Sequence, residues 1–212
     1  MTFEPTTTNE FLCLEQIRDY AEQNEITLVR SAQSGDVDSF NALVLKYQNL
    51  MYRTALRILG QEVLAEDATQ DALISAFQHI GQFRGGSLKA WFIRILVNKC
   101  YDGFRHMQRT PAISLDESLM SDGENEGLYT MLWDQAPSAE EYVEASEQTE
   151  YIQKCLSKLP ADYRVVLVLV DVEEMSYVEA SAILKIPLGT VKSRLARARL
   201  YMRRELEAGG AF

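Results

Sequence analysis

Between Gln108 and Gln148 the chain loses every trace of helical period. This stretch carries ten acidic residues against one basic residue and is punctuated by Pro111, Gly123, Gly127 and Pro137. A connection of that length is uncommon inside one compact domain. The pattern therefore predicts two folded blocks, residues 25–107 and 149–212, joined by an acidic tether over 108–148 and preceded by an extension over 1–24. A short helix is expected inside the tether near Ser138–Glu147, where Ser138 can cap and Glu141 can close a capping box.

Both blocks are helical by pattern, so the fold class expected is all-α: two small helical domains on a linker. In the first block Ile26, Val29 and Ala32, then Phe40, Leu43, Val44, Tyr47 and Met51, recur at helical spacing. Asp36 or Asp38 can cap the second of these helices. Residues 62–80 form a long helix with Ala65, Ala68, Ala72 and Ala76 on one stripe, broken by Gly81, Gly85 and Gly86. A last helix starts near Ser87 and carries Trp91, Ile95, Asn98, Asp102 and Arg105. The second block reads as helices over 151–159, 161–172, 176–184 and 188–207. Its run Val165–Val170 is rich in β-branched residues, but helical flanks and the lack of a partner strand favour helix.

Charge and cysteine content narrow the function. The net charge is −10, yet the acidity is concentrated: the tether is at −9 and the extension at −4, against +1 and +2 for the two blocks. Whole-chain charge would thus hide a basic surface. Three cysteines (Cys13, Cys100, Cys155) lie far apart, which excludes a disulfide scaffold and any CxxC site and fits a reducing cytoplasm. No apolar run reaches a membrane span, and the first residues have neither the basic nor the apolar region of a signal peptide. Two histidines, His79 and His106, offer no HExxH. Gly85–Gly86 lack a phosphate-loop context, and no GxSxG is present. The expectation is a protein without catalytic site, cofactor or metal, outside the membrane.

The most specific local signal lies near the C-terminus. A short helix (176–184), a tight turn (185–187) and a second helix from Leu188 make a helix-turn-helix pattern. Tyr177, Ala180, Ile183 and Leu184 are expected on the core side, with Val191, Leu195 and Ala198 from the second helix. The opposite face of that helix shows Lys192, Ser193, Arg194, Arg197, Arg199, Arg203 and Arg204. Between Lys185 and Arg204 there are seven bases and no acid. Such a helix suits the major groove, with base edges near its N-terminal half and phosphates along its flanks. The plainer alternative is an amphipathic helix with a solvated basic face.

The stretch LPADYRVVLVLVDVEEMSYVEASAILKIPLGTVKSRLARAR closely resembles region 4 of bacterial extracytoplasmic-function (ECF) sigma factors. AEDATQDALISAF, FRGGSLKAWFIRI and LVNKCYDGFR resemble region 2 of the same family. The resemblance spans residues 25–107 and 149–207. It implies a factor that binds core RNA polymerase and promoter DNA, recognising the −10 element through region 2 and the −35 element through region 4. It also implies that an anti-sigma partner is common. By matching position, Asp67, Gln70, Asp71 and Ile74 dock on core polymerase. The three polar ones, at i, i+3 and i+4, share one helix face.

Lys89, Trp91, Phe92, Arg94, Asn98 and Arg105 correspond to the stretch that opens and reads the −10 element. Stacking on unpaired bases is the physical role of its aromatics. Trp91 has the spacing of a core residue, and Phe92 lies beside Lys89 and Arg94. Asp102 is equally placed to pair with Arg105 or Arg94. Lys192, Ser193, Arg194, Arg197 and Arg199 correspond to the −35 readers. Two departures from the family pattern are Gly103 inside a helix and Lys185 where a turn glycine is usual. A stand-alone helix-turn-helix regulator is the alternative; it would carry a phosphoacceptor or ligand domain in place of the first block.

Overall fold

The structure is a computed structural model and describes residues 25–109 and 139–208. The N-terminal extension and most of the expected tether lie outside the described residues. Among the described residues all regular structure is helical.

The first block holds four helices. Helix α1 (Glu25–Gln33) leads through a turn into α2 (Val37–Leu59). Asp36 rather than Asp38 caps α2, its carboxylate accepting from the Ser39 backbone N–H at 3.3 Å. Gly60 ends α2 in the left-handed conformation (φ 77°), its N–H donating to the Leu56 carbonyl. Helix α3 (Glu62–His79) buries the expected alanines Ala65, Ala68, Ala72 and Ala76. Their small side chains let α3 approach its neighbours closely. A 3₁₀ turn at Ile80–Gln82 and a glycine-containing loop precede α4 (Leu88–Arg109), which buries Leu88, Phe92, Ile93, Leu96, Val97 and Cys100 against α2 and α3.

The second block opens with α5 (Ala139–Ser157). The two short helices expected near 138–147 and 151–159 are thus one helix running out of the acidic segment, because nothing between them breaks the backbone period. Helix α6 (Ala161–Leu167) continues as a π turn over Val168–Val172. The β-branched run is therefore helical but locally widened. Val165, Val166, Leu167, Val168 and Leu169 are all buried, so this is the central helix of the block. It packs on α8 (Leu188–Ala208), which contributes Val191, Leu195 and Ala198, and its π turn meets α7 (Tyr177–Leu184).

The two blocks are in contact and share one apolar core, running from Leu28 in α1 to Ala198 in α8. Helix α4 packs on α7, and the C-terminal end of α2 meets α5 and α6. Polar groups seal that second junction. Gln153 Nε2 donates to the Leu56 carbonyl at 2.9 Å, and Arg164 Nη1 to the Ile58 carbonyl at 2.8 Å. Arg164 Nη2 also donates to the carbonyls of Ser157 (2.7 Å) and Leu159 (3.0 Å). A buried guanidinium on the last carbonyls of a helix meets the negative end of its dipole.

Candidate nucleic-acid and polymerase interface

The helix-turn-helix is built as its sequence suggests, with one correction. Ser176 caps α7, accepting from the Glu179 N–H, while the Glu179 carboxylate accepts from the Ser176 N–H at 2.9 Å. Those two bonds hold the Glu179 carboxyl below its ordinary range. Lys185 ends α7 in the left-handed conformation (φ 54°, ψ 40°). The turn is clasped by Ser181 Oγ donating to the Ile186 carbonyl at 2.6 Å. Ala180 and Ile183 are buried as expected, and Leu184 is partly so. Tyr177, expected in the core, is exposed: it is the first residue of α7, where the helix has not yet reached the core.

On the outer face of α8 the structure separates the bases into two groups. Arg194 pairs with Asp162 at 2.7 Å. Arg199 pairs with Asp171 through two bonds, Nε at 2.9 Å and Nη2 at 2.6 Å. That carboxylate raises the Arg199 pKa further above its ordinary value. Both arginines are thus turned toward their own block. Lys192, Arg203 and Arg204 are exposed and make no printed bond to a carboxylate among the described residues. Arg197 is exposed and donates to the neutral Tyr163 hydroxyl at 3.3 Å, which leaves its charge uncompensated. Ser193 donates to the Thr190 carbonyl at 3.1 Å and is likewise exposed. Sequence reasoning missed Asp162 and Asp171, since each lies far along the chain from the arginine it holds.

Helix α4 carries a second exposed stripe. Arg94, Asn98, Asp102 and Arg105 follow at helical spacing and all reach solvent. Asp102 pairs with Arg105 at 2.8 Å. Phe92 is a correction. It is fully buried and stacked on Tyr47 (centroids 5.0 Å apart, planes at 28°), so it cannot meet a base while the core is closed. Its neighbour Trp91 is only partly buried, edge-on to Phe83 at 5.6 Å and to Phe92 at 5.3 Å. Lys89 is engaged by the second block: its ammonium donates to the Glu173 carbonyl at 2.8 Å and lies 3.3 Å from the Glu173 carboxylate.

Helix α3 presents Asp67, Gln70, Asp71 and Ile74 together on its exposed face, with the Ile74 side chain 57% exposed. Phe77, three residues beyond Ile74, is 49% exposed and meets the buried Phe40 edge-on at 5.0 Å. Its place at i+3 from Ile74 could have found it. An acidic patch with two large apolar side chains standing in water is unfavourable unless something covers it. Among the described residues no cluster of metal ligands occurs, and no helix is long and apolar enough to cross a membrane.

A model of sigma-70 region 2 matches residues 43–110, and a model of sigma-70 region 4 matches residues 149–202. The chain is 34% identical over 181 residues to the ECF RNA polymerase sigma factor SigW of Bacillus subtilis, covering 84% of this chain and 94% of that protein. It is 32% identical over 186 residues to the ECF RNA polymerase sigma-E factor of Haemophilus influenzae, covering 87% and 93%. The sigma factor RpoE of Bartonella quintana, solved with the anti-sigma factor NepR, superposes with a TM-score of 0.59 at 27% identity over 79% of this chain and 96% of that one. CnrH, solved with the cytosolic domain of CnrY, shares the fold (TM-score 0.60, 23% identity, 86% and 96%).

Two helical regions in this order, the second a helix-turn-helix, define a sigma-70-type initiation factor. The chain belongs to the extracytoplasmic-function (ECF) RNA polymerase sigma factors. The region 2 match in the first block sets aside the stand-alone regulator.

Proposed function

We propose that this chain binds core RNA polymerase and directs it to promoters, the first block acting at the −10 element and the second at the −35 element. The observation that carries the reading is the basic outer face of α8 on a capped helix-turn-helix, beside a first block with its own exposed acidic-apolar face. Asp67, Gln70, Asp71 and Ile74, extended by Phe77, form the polymerase-docking face. Arg94, Asn98, Trp91 and Lys89 serve the −10 strand, with Arg105 tempered by Asp102. At the −35 element Lys192, Ser193 and Arg197 read bases, while Asp162 and Asp171 hold Arg194 and Arg199 as supports of the helix.

The chemistry of RNA synthesis belongs to the polymerase, so the chain acts as an initiation factor rather than a catalyst, and it works in the cytoplasm. The acidic segment serves as the tether between the blocks. An anti-sigma factor is a partner of the class that the solved relative RpoE carries.

Run-off transcription with purified core polymerase on the gene's own upstream region tests the assignment. An Arg or Lys on a guanine is worth about 1–3 kcal/mol of discrimination. Arg197→Ala should therefore lower transcription about tenfold from templates with an intact −35 sequence and little from −35 substitutions. Arg203→Ala should weaken all templates alike and reduce the salt slope by about one. No transcript from the wild-type chain would refute the function. Identical flat losses would refute base reading by Arg197.

A further inference from the structure

Glu173 follows the π turn of the second block yet is buried (4% exposed), and its carboxylate reaches into the first block. Oε1 accepts from the Thr54 hydroxyl of α2 at 2.6 Å. Oε2 lies 3.3 Å from Lys89 Nζ, and that ammonium donates to the Glu173 carbonyl at 2.8 Å. A buried carboxylate is tolerated only when it is paired and hydrogen-bonded. Here both of its partners come from the other block.

The backbone on either side of Glu173 is held in uncommon conformations. The five-residue π turn Val168–Val172 precedes it, and Glu174 follows at φ 58°. A non-glycine residue at that angle costs roughly 1–2 kcal/mol. Such outliers persist where the surroundings over-determine them and cluster at functional and switch positions. The distortion is spent on turning one carboxylate inward.

We infer that Glu173 is an intramolecular latch, which shuts the helix-turn-helix block against the first block by taking Thr54 and Lys89 and so withholds Lys89 from DNA. The inference rests on the reading of Lys89 as a DNA contact. Dimensions support it. A compact body of this size has a radius of gyration of about 15 Å. The −10 and −35 elements lie about 25 base pairs apart, roughly 85 Å along a straight duplex at 3.4 Å per step. With α4 packed on α7, the closed form cannot occupy both elements. The docking face of α3 remains exposed in that form, so polymerase can engage before the latch opens, and DNA phosphates can then replace Glu173 at Lys89.

The test uses the full-length chain and three variants, Glu173→Gln, Thr54→Val and Lys89→Ala. Solution X-ray scattering reads closure, and fluorescence anisotropy with an oligo(dT) probe reads single-strand binding. Far-UV circular dichroism checks folding. Glu173→Gln should expand the protein and tighten oligo(dT) binding about tenfold, the loss of one charge-assisted tie. Thr54→Val, which leaves the second block intact, should move both readings the same way and by less. Lys89→Ala should expand the protein but weaken binding.

Unchanged dimensions and affinity in both Glu173→Gln and Thr54→Val would overturn the latch. Expansion without tighter binding, together with unaltered affinity in Lys89→Ala, would overturn the DNA reading of Lys89 and with it the mutual exclusion, while leaving the closure contact in place.

Discussion

Lys185 and Glu174 are the two non-glycine residues with positive φ among the described residues, and both bracket α7. Lys185 holds the turn between the two helices of the motif, where its Cβ crowds the following carbonyl. Its N–H donates to the Ser181 carbonyl, so the position works as a helix stop that glycine would fill without strain. Lys185→Gly is expected to stabilise the chain by about 1 kcal/mol, seen as a higher denaturation midpoint at constant slope. An unchanged midpoint would mean that the Ser181 clasp already absorbs the strain. At this scale much was readable in the sequence: the missing turn glycine, the α7 cap and the Asp102–Arg105 pair. Phe92 was not, because spacing along α4 puts Trp91 and Phe92 on adjoining faces, and only the stack on Tyr47 decides which ring is covered.

Helix α4 has a glycine near its middle turns with no turn to justify it. A Cβ built on Gly103 would meet only Leu59 Cδ2, at 3.4 Å, the end of a flexible side chain. Glycine inside a helix costs roughly 0.5–1 kcal/mol relative to alanine. Gly103→Ala should therefore stabilise the first block by about that amount in urea unfolding; a loss would show that Leu59 cannot yield. The helices themselves were legible because their apolar periods are long and their breaks carry Pro or Gly. The π turn was not, since its valines and leucine are buried on every side and a widened helix leaves no periodic mark. The single span of α5 was also missed, because its acidic first half has the composition of a tether. Asp171 and Asp162 show the same limit at the site: the bases of α8 were visible as a face, but which of them are already paired depends on residues 28 and 32 positions away.

For the whole molecule, the informative group is Arg164, whose three carbonyl partners belong to both blocks. Burial pulls its guanidinium pKa below the ordinary value, and no carboxylate offsets it. Arg164→Ala strips the donors from all three carbonyls, and removing one partner of a buried polar set costs about 3–5 kcal/mol. The expected calorimetric result is a lower, broader transition that separates into two, because the blocks lose the tie that makes them melt together. A single sharp transition at the wild-type temperature would contradict this. Closure itself was beyond sequence reasoning, which read the acidic segment as a separator and gave no sign that the blocks share a core. The π turn adds a consequence for how such chains vary. A π turn is an α-helix carrying one extra residue. Deleting one residue from Val168–Val172 would restore the ordinary helix and turn everything beyond it by about 100°. Glu173 would then swing away from Thr54, and the DNA-reading helix would face a new direction. The mutual orientation of the two halves is thereby encoded in the length of one helix as well as in the contacts it makes, and an insertion or deletion there can reset it in one step.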